Sequence, residues 1–129
     1  MDFLDRDNIF AVIGVSRDPA KYGHKVFKDL KNAGYKVYPV NPKVSYIENS
    51  IKVYHSLSEI PVKPDVLITV VPPAVTIAVV KEAASMGITH IWMQPGSESD
   101  EVIEYCKMKK LKFMANSCIM ISNNSQKKN

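Results

Sequence analysis

Apolar and polar positions alternate in blocks along this chain, and the blocks switch between two periods. Ile9 to Val15 is an apolar run with a glycine near its end, which predicts a buried strand. From Gly23 to Ala33 the apolar residues Val26, Phe27, Leu30 and Ala33 share one helical face, and Gly34 supplies a stop. Lys36 to Val40 reads as a second strand ended by Asn41-Pro42, and Lys52-Val53-Tyr54 as a short third. Ser56 and Glu59 have capping-box spacing, which predicts one helical turn. Asp65 to Val71 is nearly all β-branched or apolar, as a strand covered on both faces requires. A helix follows over Ala74 to Met86, capped by Gly87. His90 to Met93 is a fifth strand, and Glu98 to Lys110 a helix with Val102, Ile103 and Cys106 inward. Lys112 to Ala115 is a short sixth strand.

Strands and helices that alternate through short connections predict an α/β fold: a three-layer, Rossmann-like, doubly wound parallel sheet. The expected strand order is 3-2-1-4-5, with the short sixth strand on the far edge. The 129 residues suit one domain, expected over 1–121, followed by a polar tail over 122–129. With 46% hydrophobic and 23% charged residues the composition is that of a globular protein. No apolar run is long enough to span a bilayer, and residues 1–7 lack the basic-then-apolar pattern of a signal peptide. The cytoplasm is therefore the expected compartment, where Cys106 and Cys118 are free thiols.

The net charge of +4 and a pI near 9.0 favour an anionic partner. The basic residues are scattered apart from Lys107, Lys109, Lys110 and Lys112 and the pair Lys127-Lys128, with no basic helix interleaved with aromatics. Nucleic acid is a weak alternative, and a phosphate-bearing small molecule explains the charge equally well, so neither a nucleic-acid nor a membrane partner is expected. No Cys/His spacing resembles a zinc site.

In a doubly wound sheet, ligands bind beyond the carboxyl ends of the strands where the strand order reverses. Four unusual corners of this sequence fall there. After the first strand comes Gly14-Val15-Ser16-Arg17-Asp18-Pro19-Ala20-Lys21-Tyr22-Gly23. Backbone N–H groups and the helix dipole would face a pyrophosphate, with Ser16, Arg17 and Lys21 adding a hydroxyl and two charges. The fingerprint G-x-G-x-x-G is absent, and an ordinary turn and helix cap is the alternative. After the second strand, Val40-Asn41-Pro42-Lys43 stands where nicotinamide-binding domains place an acidic residue. Lys43 would attract an extra ribose phosphate, which favours a ligand such as coenzyme A or a phosphorylated dinucleotide. A rigid loop with a solvated lysine is the alternative. The third corner, Val71-Pro72-Pro73 running into Ala74-Val75-Thr76, offers a stiff apolar wall. At the fourth, Gln94-Pro95-Gly96 leaves the fifth strand after Trp92, which is expected to pack.

Catalytic chemistry is not evident. His24 could touch phosphate but reads more simply as an exposed helix residue near the glycine loop, and the sequence supports no nucleophilic triad built on His24, His55 or His90. Asp65, Glu82 and Glu101 form no recognisable carboxylate pair. Cys118 follows the sixth strand and reads first as a buried, inert cysteine; the alternative is a thiol near the end of a pantetheine arm that forms a mixed disulfide with coenzyme A.

Taken in order, the Gly14-Val15-Ser16 loop with Lys21-Tyr22-Gly23, Tyr38 to Lys43, Val71-Pro72-Pro73, Trp92 to Gly96 and the region near Cys118 resemble the coenzyme A-binding domain family. The resemblance spans nearly the whole chain except the polar tail. It is nearest to free-standing, single-domain members, and more distant to the first domain of the succinyl-CoA synthetase α subunit. It implies that Gly14, Val15, Ser16, Arg17, Lys21, Tyr22 and Gly23 cradle cofactor phosphates. It implies that Val40, Asn41, Pro42 and Lys43 with Val71, Pro72, Pro73 and Thr76 hold the nucleotide part, and that Gln94, Pro95, Gly96 and Cys118 lie nearby. The chain is too short for the synthetases' further domain, so the resemblance implies binding of coenzyme A or an acyl-CoA without catalysis. An NAD(P)-binding enzyme or a redox sensor using the same cleft are the other readings. A homo-oligomer or a protein partner is compatible with a domain of this size.

Overall fold

A computed structural model of the chain describes residues 2–120 and Ser122. Five parallel strands form the main sheet: β1 (Ile9–Ile13), β2 (Lys36–Val40), β5 (Val66–Thr69), β6 (His90–Met93) and β7 (Lys112–Met114). Their order is β2-β1-β5-β6-β7. Three helices connect them: α1 (Tyr22–Asn32), α2 (Pro73–Ser85) and α3 (Asp100–Met108). The winding order of the strands thus reverses between β1 and β5, and the carboxyl ends line up there: Ile13 is in register with both Val40 and Thr69, and Thr69 with Met93.

The strands are apolar on both faces because both faces are covered. Phe10 and Val12 of β1, Val66 and Ile68 of β5 and Trp92 of β6 pack with Val26, Phe27 and Leu30 of α1. The intervening residues, Ala11, Ile13, Leu67, Ile91 and Met93, pack with Val80 and Ala83 of α2 and Val102 and Cys106 of α3. The period of two in the strands therefore separates the two cores. Residues 2–8, which carry no periodic signal, add to the first: Tyr35 donates its hydroxyl to the Leu4 carbonyl at 2.7 Å, and Phe3 meets Trp92 edge-on at 5.4 Å.

Two expectations change. The third strand does not join the main sheet. Tyr46–Ile47 (β3) and Ile51–Lys52 (β4) instead form a small antiparallel hairpin, and only Tyr54 bridges to Val40 at the sheet edge. The physical reason is that the Val53 N–H is already committed to the Ser45 carbonyl at 2.9 Å. The turn at 57–59 is a 3₁₀ turn, and the Ser56 hydroxyl meets the Ser58 hydroxyl instead of capping it. The tail expected over 122–129 lies outside the described residues apart from Ser122. No helix among the described residues is long and apolar enough to cross a membrane.

Leu30 is fully buried beneath α1. Leu30→Ala should lower the unfolding free energy by about 2–5 kcal/mol, read from urea denaturation, through lost burial and the cavity left behind.

Candidate functional site

The site is assembled where β1, β2 and β5 end. Gly14 closes β1 with φ +100°, a conformation that disfavours any residue with a Cβ. Its N–H and that of Val15 both donate to the Val40 carbonyl, at 2.9 and 3.3 Å. A Cβ on Gly14 would strike the Val70 carbonyl, and one on Gly23 would strike the Gly14 carbonyl. The start of α1 is therefore packed backbone against backbone on the exit of β1.

Ser16, Asp18 and Lys21 shape the intervening loop. The Ser16 hydroxyl accepts from the Asp18 N–H at 3.0 Å, and the Asp18 carboxylate from the Ala20 N–H at 2.9 Å. Arg17 and Lys21 are exposed. No side chain caps α1 or α2, and neither carries an acidic residue in its first turn. In α3, by contrast, Ser99 caps the helix and Asp100 and Glu101 offset its dipole. The two helix ends beside the β1–β5 reversal thus keep positive dipole ends with no protein anion on them.

Asn41 ties the loops together. Its side-chain N–H donates to the Val15 carbonyl at 2.9 Å, and its side-chain oxygen accepts from the Lys43 N–H at 2.9 Å. Asn41 is thereby spent on positioning, and Lys43 is the charged group this corner presents, its side chain exposed.

Between these loops and α2 lies a cleft of about 310 Å³, walled by Ile13, Gly14, Val40, Leu57, Val71 and Val75. Asn41, Pro42, Lys43, His55, Ser56, Val79 and Glu82 complete its lining. A second concavity shares Val71 and continues over Val70, Pro72, Pro73, Pro95, Gly96 and Ser97. Ten of the expected residues thus line one trough along the sheet edge: Gly14, Val40, Asn41, Pro42, Lys43, Val71, Pro72, Pro73, Pro95 and, at its far end, Gly96.

The others do not line it. Val15 and Thr76 are fully buried, and the Thr76 hydroxyl turns back onto the Pro72 carbonyl at 3.3 Å. Gln94 is fully buried as well. Its amide N–H donates to the Tyr22 hydroxyl at 2.6 Å, and its oxygen accepts from the Ile119 N–H at 2.8 Å. Tyr22 in turn donates to the Cys118 sulfur at 2.9 Å. Tyr22, Gln94 and Cys118 therefore form one cluster joining α1, β6 and the C-terminal segment. Burial raises the Tyr22 phenol well above the ordinary range; the Cys118 sulfur adds to this and Gln94 opposes it.

His24 is buried, against expectation. Its Nδ1 lies 2.6 Å from the Ser16 carbonyl, which can only accept, so Nδ1 donates; Nε2 lies 3.4 Å from the Glu48 carboxylate. The glycine loop folds over the helix start and hides the ring. The Lys28 ammonium, 2.9 Å away, holds the exposed Glu48 carboxyl below the usual range. Seven residues lining the cleft were not among the expected site residues: Ile13, His55, Ser56, Leu57, Val75, Val79 and Glu82. Val75, Val79 and Glu82 recur at i, i+4 and i+7, a helical-face signal that points them to one surface. His55 and Ser56 carry no local signal, since the bridge at Tyr54 brings them in. Among the described residues no group of acidic, His and Cys side chains has the makings of a metal site.

A Rossmann-like domain with a cofactor-sized trough at its topological reversal is the class these features define. The chain belongs to the CoA binding domain family, whose model matches residues 8–124. It is 31% identical over 134 residues to the α subunit of the ADP-forming acetate–CoA ligase II of Pyrococcus furiosus, covering 95% of this chain and 29% of that protein. It is 27% identical to the uncharacterized protein YneT of Bacillus subtilis, over 94% of this chain and 89% of that one. A solved structure of a conserved hypothetical protein from Pyrococcus furiosus superposes with a TM-score of 0.83 at 40% identity, covering 89% of this chain and 98% of the other. The chain spans under a third of the length of the ligases it matches.

Gly23→Ala should cost about 1–3 kcal/mol of stability through overpacking against the Gly14 carbonyl, measurable as a lowered urea midpoint. Burial pushes the Cys106 thiol up to about 11. Native protein therefore keeps a proton there that the unfolded chain releases above about pH 8.5, so this contribution to stability is lost as pH rises from that value toward 11. Cys106 should resist iodoacetamide in native protein at pH 8 and react in urea, read by mass spectrometry of the labelled peptides.

Proposed function

We propose that the protein binds coenzyme A, free or acylated, along the carboxyl edge of its sheet. The observation that carries this reading is the charge pattern of the main cleft. An apolar slot opens beside Gly14, with Lys43 on its rim and Asn41 where an acidic residue would select an unphosphorylated ribose. The residues present fit the group. The positive-φ glycine at Gly14 allows close backbone approach, and the uncapped ends of α1 and α2 favour pyrophosphate oxygens. Arg17 and Lys21 are exposed on the same loop and add charge toward those phosphates. Apolar Val71, Val75 and Leu57 suit the flat face of a base. The second concavity, floored by Val71 and the two prolines, suits the pantetheine arm. Membership of the CoA binding domain family and the likeness to an acetate–CoA ligase α subunit support the same ligand.

In this reading the chain's own residues bind and orient. Coenzyme A supplies the thiol that carries an acyl group, and the protein supplies a rigid seat for the nucleotide end.

Titration calorimetry of the purified protein with coenzyme A at fixed salt should give saturable one-site binding. Lys43→Glu should weaken it about ten-fold or more, since one unit charge at contact distance in water is worth about 1 kcal/mol and two units are reversed. Dephospho-CoA should lose much less. Tighter binding of NAD or NADP than of coenzyme A would sink the proposal.

A further inference from the structure

Three ionisable side chains line the main cleft: Lys43, His55 and Glu82. Lys43 already has a reading. His55 lies far from it along the chain and carries no motif, yet the backbone brings the two to one rim. The Asn41 N–H donates to the Tyr54 carbonyl at 2.9 Å, the Tyr54 N–H to the Pro39 carbonyl at 2.9 Å, and the Val53 N–H to the Ser45 carbonyl at 2.9 Å. Residues 41–45 and 53–55 are thereby clamped side by side, with Lys43 on one arm and His55 on the other.

The His55 ring is held in a set direction. Its Nε2 lies 3.2 Å from the Ser45 hydroxyl, and its Nδ1 lies 3.9 Å from the Glu59 carboxylate. At 3.9 Å the carboxylate is beyond a direct hydrogen bond. That carboxylate also accepts from the His55 N–H at 3.3 Å, which keeps it on the 3₁₀-turn side. Glu82 belongs to α2, on the opposite wall. The ring is 46% exposed, so a ligand in the cleft can reach it.

We infer that His55 is a second, protonation-dependent cation for the ribose phosphate, acting with Lys43 to select a phosphorylated nucleotide over the same nucleotide without that phosphate. This rests on the coenzyme A reading of the cleft. A lysine alone is a hydrated point charge on a flexible stem and gives attraction with little direction. A protonated ring held between Ser45 and Glu59 adds a positively charged group in a set position beside an apolar wall, where screening is weaker than in open water. Histidine as a residue type changes charge between about pH 5 and 8, so its share of the affinity must grow as pH falls through that window. A phosphate monoester dianion takes up a proton near pH 6, which acts in the opposite direction. The informative quantity is therefore the ratio of variant to wild-type Kd at each pH, in which the ligand's own titration cancels.

The test is calorimetric titration of wild type and His55→Gln with coenzyme A and with dephospho-CoA, at pH 6.0 and 8.0 and constant ionic strength. His55→Gln should raise the Kd for coenzyme A about five-fold at pH 6.0 and less than about two-fold at pH 8.0, the difference expected from one exposed charge contact. Its effect on dephospho-CoA should be under about two-fold at both values. An equal loss at both pH values, or an equal loss for both ligands, would show His55 to be a packing residue and overturn the inference alone. Failure of the wild type to bind coenzyme A would remove the cleft reading and this inference with it. The melting temperatures of the two proteins, measured at each pH, should agree, because the ring lies outside both cores.

Discussion

The approach of Gly23 to the Gly14 carbonyl is the contact on which the rest of the site depends. A single methyl group at either position has nowhere to go, since the neighbours are backbone atoms that cannot rotate aside. The contact fixes how closely α1 follows β1, and so brings the uncapped start of α1 to the sheet edge. The Val40 carbonyl, which accepts from both Gly14 and Val15, ties β2 to the same point. Asn41 completes the knot by spending both ends of its amide on neighbouring backbone. Three chain segments that meet nowhere else in sequence are thus locked around one opening.

That opening is built from unlike halves. Its walls are aliphatic and its rim carries charge, an arrangement that suits the flat base and phosphates of the proposed ligand. The helix ends follow the same division. Those of α1 and α2, beside the reversal, lack side-chain caps and acidic residues, whereas α3, farther along the sheet, has both. In α3 the Ser99 cap and the acidic first turn satisfy the helix start from within the chain. Leaving α1 uncapped keeps its first N–H groups free of side-chain acceptors at the place where an anion is expected, whereas in α2 Pro73 has no N–H and the Val75 N–H already donates to the Pro72 carbonyl at 2.9 Å.

The opposite flank of the switch point is closed by a different device. Gln94 reaches across to Tyr22 and to the Ile119 N–H, so the segment after β7 is pinned to the start of α1. Cys118 is held in this cluster by the Tyr22 hydroxyl, outside the trough. These residues support the glycine loop from behind, and a change in them would be felt at the cleft through α1.

The sequence by itself determined the alternation of strands and helices, the sheet order among its main strands and the edge at which the site lies. Each follows from local rules: buried strands read as apolar runs, glycines and prolines interrupt them, and parallel strands need helical crossovers. It also marked the glycine loop, Lys43 and the paired prolines, because their residue types are unusual at strand ends. Tertiary structure alone decided which of those side chains face the trough. Thr76 and Gln94 turn inward because buried polar atoms must find partners, and the nearest ones lie in the core. Buried His24 follows the same rule, on the Ser16 carbonyl. Tertiary structure also placed His55, since a single bridge at Tyr54 carries it to Lys43, and no local pattern records a contact between segments that distant along the chain.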